Sequence, residues 1–222
     1  MLKTENTHLV LFPQLLGVYK FDKHEELKKE IRNQVSIYKG TEYEQTNDSQ
    51  GIIHYFNDFD QNFFDDQPTK SGVIEDFRAF VIRRTNQYAD ECGLKHPGFF
   101  ISDAWINVSG KNSFQFPHNH GNSFLSATYY VSYDPEKHPP IEFRNPNCYK
   151  TSQFLAMERI ERKNHVFGEG YECDWLEEGM LLIWQSGLHH AYPRNPHDDR
   201  ISISMNMFPR TLKCGAYGVN MS

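Results

Sequence analysis

From Arg200 to Met207 the chain alternates without a break. Ile201, Ile203, Met205 and Met207 are apolar, whereas Arg200, Ser202, Ser204 and Asn206 are polar or charged. Successive side chains of a strand leave on opposite faces, so a sustained period of two specifies a strand with one apolar and one polar side. Such a strand must sit in a sheet whose apolar side is covered by a second layer. Its polar side has two readings, a wet surface or the lining of a site.

The rest of the C-terminal half fits a sheet. From Phe99 onward, short β-rich runs are separated by Gly, Pro, Asn and Asp, the pattern of sandwiches and barrels. Strands are expected at Phe100–Val108, Ser113–Phe116, Phe124–Tyr133, Ile141–Phe143, Val166–Phe167, Met180–Trp184 and Ile201–Phe208.

The front half carries two amphipathic helical patterns. Asp22 is placed to cap the first, with Glu25 three residues on, Leu27 and Ile31 on one face and Gly40 as its stop. Ser71 precedes the second, whose Ile74, Phe77, Phe80, Val81 and Tyr88 share a face before Gly93. Thr41–Thr69 reads as a loop with one strand at Ile52–Tyr55. There is no internal repeat or linker. The expectation is a mainly β fold with accessory helices in one domain, 1–222. About 1–98 would form a helical and loop support region, about 99–210 the β core.

Composition narrows the function classes. With 222 residues, 38% of them hydrophobic, the chain can bury one sizeable core. A net charge of −6 without a basic run argues against a nucleic-acid surface, which needs concentrated Lys and Arg. Cys92, Cys148, Cys173 and Cys214 are scattered without a Cys-x-x-Cys pair, so they read as reduced thiols. The apolar stretch Leu9–Tyr19 is broken by Pro13 and Gln14, lacks a cleavage site and is too short to span a bilayer. A cytoplasmic protein with no membrane partner is expected. The sequence leaves oligomeric state open.

Histidine is unevenly distributed, with seven of its 11 residues at or beyond position 118. His118 and His120 are two apart, which in an extended chain puts both on one face about 6.5 Å apart along the strand, able to converge on one ion. Ser186–Tyr192, after the strand at Met180–Trp184, offers a distant third ligand in His189 or His190. A ligand pair on one strand and a lone histidine far downstream is a layout by which β-barrels build mononuclear metal sites. Arg200 and Ser202 follow closely, and a guanidinium fork beside a hydroxyl suits a carboxylate.

Over about residues 100 to 210 these segments resemble the Fe(II)- and 2-oxoglutarate-dependent oxygenases, in particular a branch found in marine bacteria and their phages. The resemblance rests on Trp105-Ile106-Asn107, His118-Asn119-His120, Ser126-Ala127-Thr128-Tyr129-Tyr130, Leu188-His189-His190 and Arg200-Ile201-Ser202-Ile203-Ser204-Met205-Asn206, with a LeuPhePro-like start at Leu11–Pro13. It implies a double-stranded β-helix, that is, a cupin-like jelly-roll core, buttressed by the N-terminal helices. It also implies metal binding by His118, His120 and His190, with His120 in the slot usually held by Asp or Glu. Arg200 would bind the distal carboxylate of 2-oxoglutarate, assisted by Tyr130 and Ser202, and Asn107 and Asn206 would line the pocket.

The implied activity is an Fe(II)-dependent dioxygenase that uses O₂ and 2-oxoglutarate, releases succinate and CO₂, and hydroxylates a C–H bond of an unidentified small molecule or protein side chain. Three neutral imidazoles leave such a centre one negative charge short of the 2-His-1-carboxylate triad. Two other classes compete. One is a His₃ zinc hydratase or hydrolase, in which the metal lowers the pKa of bound water; the other is a non-catalytic metal-binding jelly-roll module. His189 and His197 are read as neighbours of the site, and His138 and His165 as surface residues. Trp175 and Trp184 are read as structural, and Tyr129 as packing in the opposite layer from Tyr130.

Overall fold

The computed structural model describes residues 14–67, 71–146, 163–164 and 168–221. Leu11–Pro13, Cys148, His165 and the strand expected at Val166–Phe167 lie outside them.

The described chain runs β1 (Gly17–Lys20), α1 (His24–Tyr38), β2 (Glu44–Asn47), β3 (Ile52–Tyr55), α2 (Gly72–Glu91), β4 (Phe99–Ser109), β5 (Gln115–His118) and β6 (Leu125–Ser132). It continues with β7 (Glu142–Arg144), β8 (Gly170–Glu172), β9 (Met180–Gln185), β10 (His190–Tyr192), β11 (Arg200–Pro209), β12 (Thr211–Cys214) and β13 (Tyr217–Asn220). Seven strands form the major sheet in the order β1-β9-β6-β11-β4-β3-β2, and β5-β10-β7-β8 form the minor one. β12 and β13 make a separate hairpin. All pairings are antiparallel. This is the double-stranded β-helix with helices on one face.

The N-terminal region contributes more than support, because β1, β2 and β3 are strands of the major sheet itself. β2 is a polar edge strand, Glu44–Asn47, with no apolar alternation to announce it.

One face of the major sheet is apolar and lies under the helices. Leu27 and Ile31 of α1 and Ile74, Phe77, Val81 and Tyr88 of α2 join Ile106, Leu125, Tyr129, Leu181, Ile183, Ile203 and Met205 in one cluster. Each such side chain contributes roughly 1.5–3 kcal/mol by leaving water. Tyr129 packs here as expected, and its hydroxyl meets His24 Nδ1 at 2.8 Å. A second cluster between the sheets contains Tyr130, Tyr133, Phe143, Leu182 and Trp184. β9 is therefore covered on both faces, which is why Met180–Trp184 reads as a continuous apolar run.

Gly40 and Gly93 follow the helices with φ of +75° and +72°, the left-handed conformation that ends a helix without a Cβ penalty. The N-terminus of α1 differs from expectation. Asp22 makes no cap, because the helix begins a residue later behind Lys23, whose ammonium pairs with Asp76 of α2. Glu25 and Glu26 in the first turn complement the exposed N–H groups instead.

Two bulges tune the register of β11. Asn206 faces Asp103 but Met207 faces Ile101, leaving Ser102 extra on β4. Ile201 faces Ser132 but Ser202 faces Tyr130, leaving Val131 extra on β6. Between them the pairing is regular, and directly opposed residues share a face.

Candidate active site

The regular register sets polar residues in rows across the concave face of the major sheet. Ile52, Ser109 and Arg200 form the first row, and His54, Asn107, Ser202 and Tyr130 the second. Trp105, Ser204, Thr128 and Leu182 form the third, and Asp103, Asn206, Ser126 and Trp184 the fourth. The polar face of β11 is thus the lining of a site and not a wet surface: Arg200 is 3% exposed. A pocket of about 500 Å³, including its mouth, lies between this grid and β5 and β10 of the minor sheet.

The three histidines come from the facing sheet. His118 ends β5 and pairs with His190, which begins β10. His120 lies two residues further on, where its backbone N–H donates to Ser186 O at 3.0 Å. The potential ligand atoms of His118, His120 and His190 lie within 4.8 Å of one another, and the His120 and His190 rings are parallel to within 6°. In the neutral form, His118 Nδ1–H donates to Phe116 O at 2.8 Å and His190 Nδ1–H to Leu188 O at 3.1 Å. Each therefore presents an Nε2 lone pair.

Electrostatics keep the His120 and His190 lone pairs available. Burial, aided by the His118 imidazole, pushes His120 down to about 4 against a small opposing effect of Asp103. Burial and the same neighbour push His190 down to about 3. Neutral imidazole is the form that binds a metal. Indoles flank the group. The Trp184 ring meets His190 edge-on at 4.8 Å and Trp105 lies 5.9 Å from His120. Trp184, expected to be structural, thus belongs to the pocket wall, and its Nε1 has no partner among the described residues.

At the other end stands Arg200. It has no carboxylate or hydrogen-bond acceptor among the described residues, and its Nε is an orphaned buried donor. Its charge is met by aromatic faces, with Tyr192 at 4.0 Å and Tyr130 at 5.5 Å. The Tyr192 hydroxyl is held by Ser109 at 2.9 Å. Burial holds the Tyr130 phenol far above its ordinary range, so it remains a proton donor.

The remaining residues separate. Ser202 and Asn107 line the pocket. Asn107 Nδ2 donates to Ser204 Oγ at 2.9 Å and, more weakly, to Ser202 Oγ at 3.4 Å. Asn206 shares the fourth row but does not reach the cavity, because its Oδ1 is taken by Ser126 Oγ, itself bonded to Ser186. His189 and His197 are exposed. His138 is not at the surface: it is 5% exposed, accepts the Asp134 N–H at Nδ1 and donates from Nε2 to Asp198 O.

Sequence reasoning assigned no role to Tyr192, Ser204, Thr128 or His54. Tyr192 carried a readable signal, two residues past His190 on the same strand. His54 lies in a segment without periodicity, and only its register with Asn107 reveals it.

Residues 103–206, which include the three histidines and all of the grid but Ile52 and His54, match the family described as "Putative 2OG-Fe(II) oxygenase". Over that span the chain is similar to the 2-oxoglutarate- and Fe(II)-dependent oxygenases. Solved structures share its fold. A prolyl-4-hydroxylase from Pseudomonas putida is 11% identical with a TM-score of 0.58, the match covering 89% of this chain and 94% of that one. HygX from Streptomyces hygroscopicus, solved with nickel and 2-oxoglutarate, is 13% identical with a TM-score of 0.56, covering 88% and 83%. OsALKBH1 is 13% identical with a TM-score of 0.58, covering 89% and 100%. Among curated proteins none matches the chain. No helix among the described residues is long and apolar enough to cross a membrane.

Proposed function

We propose that the chain is a dioxygenase that hydroxylates an unactivated C–H bond, with O₂ and 2-oxoglutarate as co-substrates. One observation carries the reading. A buried arginine without an anionic partner among the described residues shares a single pocket with three imidazoles whose potential ligand atoms lie within 4.8 Å of one another.

Those residues fit both groups. His118, His120 and His190 would hold Fe(II), and Arg200, Ser202 and Tyr130 the distal carboxylate of 2-oxoglutarate. Fe(II) bound there supplies the redox chemistry that couples O₂ reduction to loss of CO₂ from 2-oxoglutarate, formation of succinate and hydroxylation of substrate.

The protein's part is binding, orientation and exclusion of water. Arg200 is stacked before any ligand arrives, so little side-chain entropy is lost when it binds a carboxylate. Tyr130 and Ser202 supply hydroxyl donors in one row beside it. Trp105, Trp184, Ile52 and Ile141 give the pocket apolar walls, which strengthen the charge interactions inside. Since the histidines bring no negative charge, the co-substrate dianion is left to balance both the metal and Arg200.

A His₃ zinc hydratase would use the imidazoles but leave Arg200 without a role. Metal analysis of protein purified without oxygen, with melting curves at increasing 2-oxoglutarate, tests the choice. Iron that exchanges freely, with a melting temperature raised by 2-oxoglutarate, is expected. Tightly held zinc with no effect of 2-oxoglutarate would reject the reading.

A further inference from the structure

His54 lies outside every motif noted above and is not part of the pocket wall, yet it stands in the same row as Asn107, Ser202 and Tyr130. It is 9% exposed, and its Nδ1 is 2.8 Å from Asn107 Oδ1. The hydrogen-bond pattern around Asn107 determines the sense of that contact. The Asn107 amide nitrogen can only donate, and it points at Ser204 and Ser202. Its oxygen is therefore left facing His54, and can only accept, so His54 carries its proton on Nδ1. Burial pushes the His54 imidazole below its ordinary range, which leaves it a neutral donor.

The chain of contacts has one direction. His54 Nδ1–H holds the amide oxygen and the amide nitrogen is thereby aimed across β11, where the Ser204 and Ser202 hydroxyls accept. Ser204 Oγ in turn lies 3.3 Å from Thr128 Oγ1, so the order extends across four strands, β3, β4, β11 and β6. Without the imidazole, the two ends of the amide would be free to exchange. A flipped Asn107 would present its oxygen to Ser202 and claim as donor a hydroxyl that otherwise faces the cavity.

We propose that His54 is a positioning residue of the co-substrate pocket. Acting through Asn107, it fixes the orientation of the Ser202 and Ser204 hydroxyls and so sets the affinity for 2-oxoglutarate without touching it. This rests on the reading of Arg200, Ser202 and Tyr130 as the 2-oxoglutarate anchor. It adds a second residue of β3, after Ile52, to a site otherwise built from residues 105–205.

The test compares Mn(II) and 2-oxoglutarate binding, by calorimetry, in the wild type and in two variants. His54→Leu keeps most of the volume and removes the donor. In His54→Asn, the amide nitrogen falls close to the position of Nδ1 and restores it. His54→Leu is expected to weaken 2-oxoglutarate binding to the Mn(II)-loaded protein about tenfold, the range for a buried acceptor left unpaired. Mn(II) affinity should change less than twofold, and His54→Asn should recover most of the loss. A merely structural role would lower the melting temperature of both variants without that recovery.

Wild-type affinity in His54→Leu, or a loss as large in His54→Asn as in His54→Leu, would overturn the proposal. Should His54→Leu fail to fold, His54→Gln, whose amide nitrogen falls near Nε2, replaces it, with weaker binding supporting the proposal and unchanged binding overturning it. Mn(II) binding by the wild type without any 2-oxoglutarate binding would instead remove the parent reading, and this one with it.

Discussion

The guanidinium of Arg200 lies 4.0 Å from the centre of the Tyr192 ring, and Tyr192 is two residues beyond His190 on the same strand. One short strand therefore places a proposed metal ligand and the aromatic support of the proposed anion anchor. Tyr192→Leu should weaken 2-oxoglutarate binding by about 1–2 kcal/mol, the value of a desolvated cation–π contact. Tyr192→Phe, which keeps the ring and loses only the hydroxyl bonded to Ser109, should lose less than half of that. Titration of both variants with 2-oxoglutarate checks the order, and equal losses would assign the effect to the hydroxyl.

Arg200 should trade stability for binding. A buried cation without a carboxylate costs folding energy that the aromatic faces offset only in part. Arg200→Met should stabilise the ligand-free protein by about 1 kcal/mol. Arg200→Ala should cost 2-oxoglutarate binding about 1.5–3 kcal/mol, the worth of hydrogen bonds to a charged group. Both variants should still bind Mn(II). Urea melts and calorimetry measure the two effects, and a destabilised Arg200→Met would mean that the stacked arginine is a net packing element.

His120→Asp restores a carboxylate to the triad. The added negative charge should tighten Fe(II) binding and raise 2-oxoglutarate turnover measured without substrate. Succinate release by both proteins under identical iron loading is the readout. A fall in turnover would show that the third imidazole is suited to its own chemistry.

Acid should destabilise the protein through histidines away from the metal site. Burial lowers His54 and His138 below 6.5, their value in the unfolded chain. Below pH 6.5 the unfolded chain then binds more protons than the folded one, so stability falls as pH falls until the folded values are reached. His138 adds a structural cost, because protonating Nδ1 breaks the bond it accepts from the Asp134 N–H. Denaturation midpoints should drop between pH 7 and pH 5, and the drop should shrink in His138→Gln. A flat profile would contradict it.

What the sequence showed depended on how local the cause was. β11 was legible because its two faces meet chemically different surroundings, helices on one side and ligand space on the other. The His118 and His120 pair was legible through strand geometry, and the third histidine through its place after β9. β10 was not, since three residues are too few to show a period. His54 was passed over and His138 misjudged because a distant residue decides each environment, Asn107 for one and the Asp198 carbonyl for the other. Asn206 shared the polar parity of β11, but a neighbouring strand's Ser126 claims it before the cavity does.

The strict alternation along β11 divides authority over the chain between two sets of positions. Odd-numbered residues from Ile201 to Met207 answer to the helices, and Arg200, Ser202 and Ser204 to whatever occupies the cleft. A lineage can rewrite the second set one residue at a time while the first continues to hold the molecule together. New specificity can therefore arise here by substitution alone, without rebuilding the scaffold.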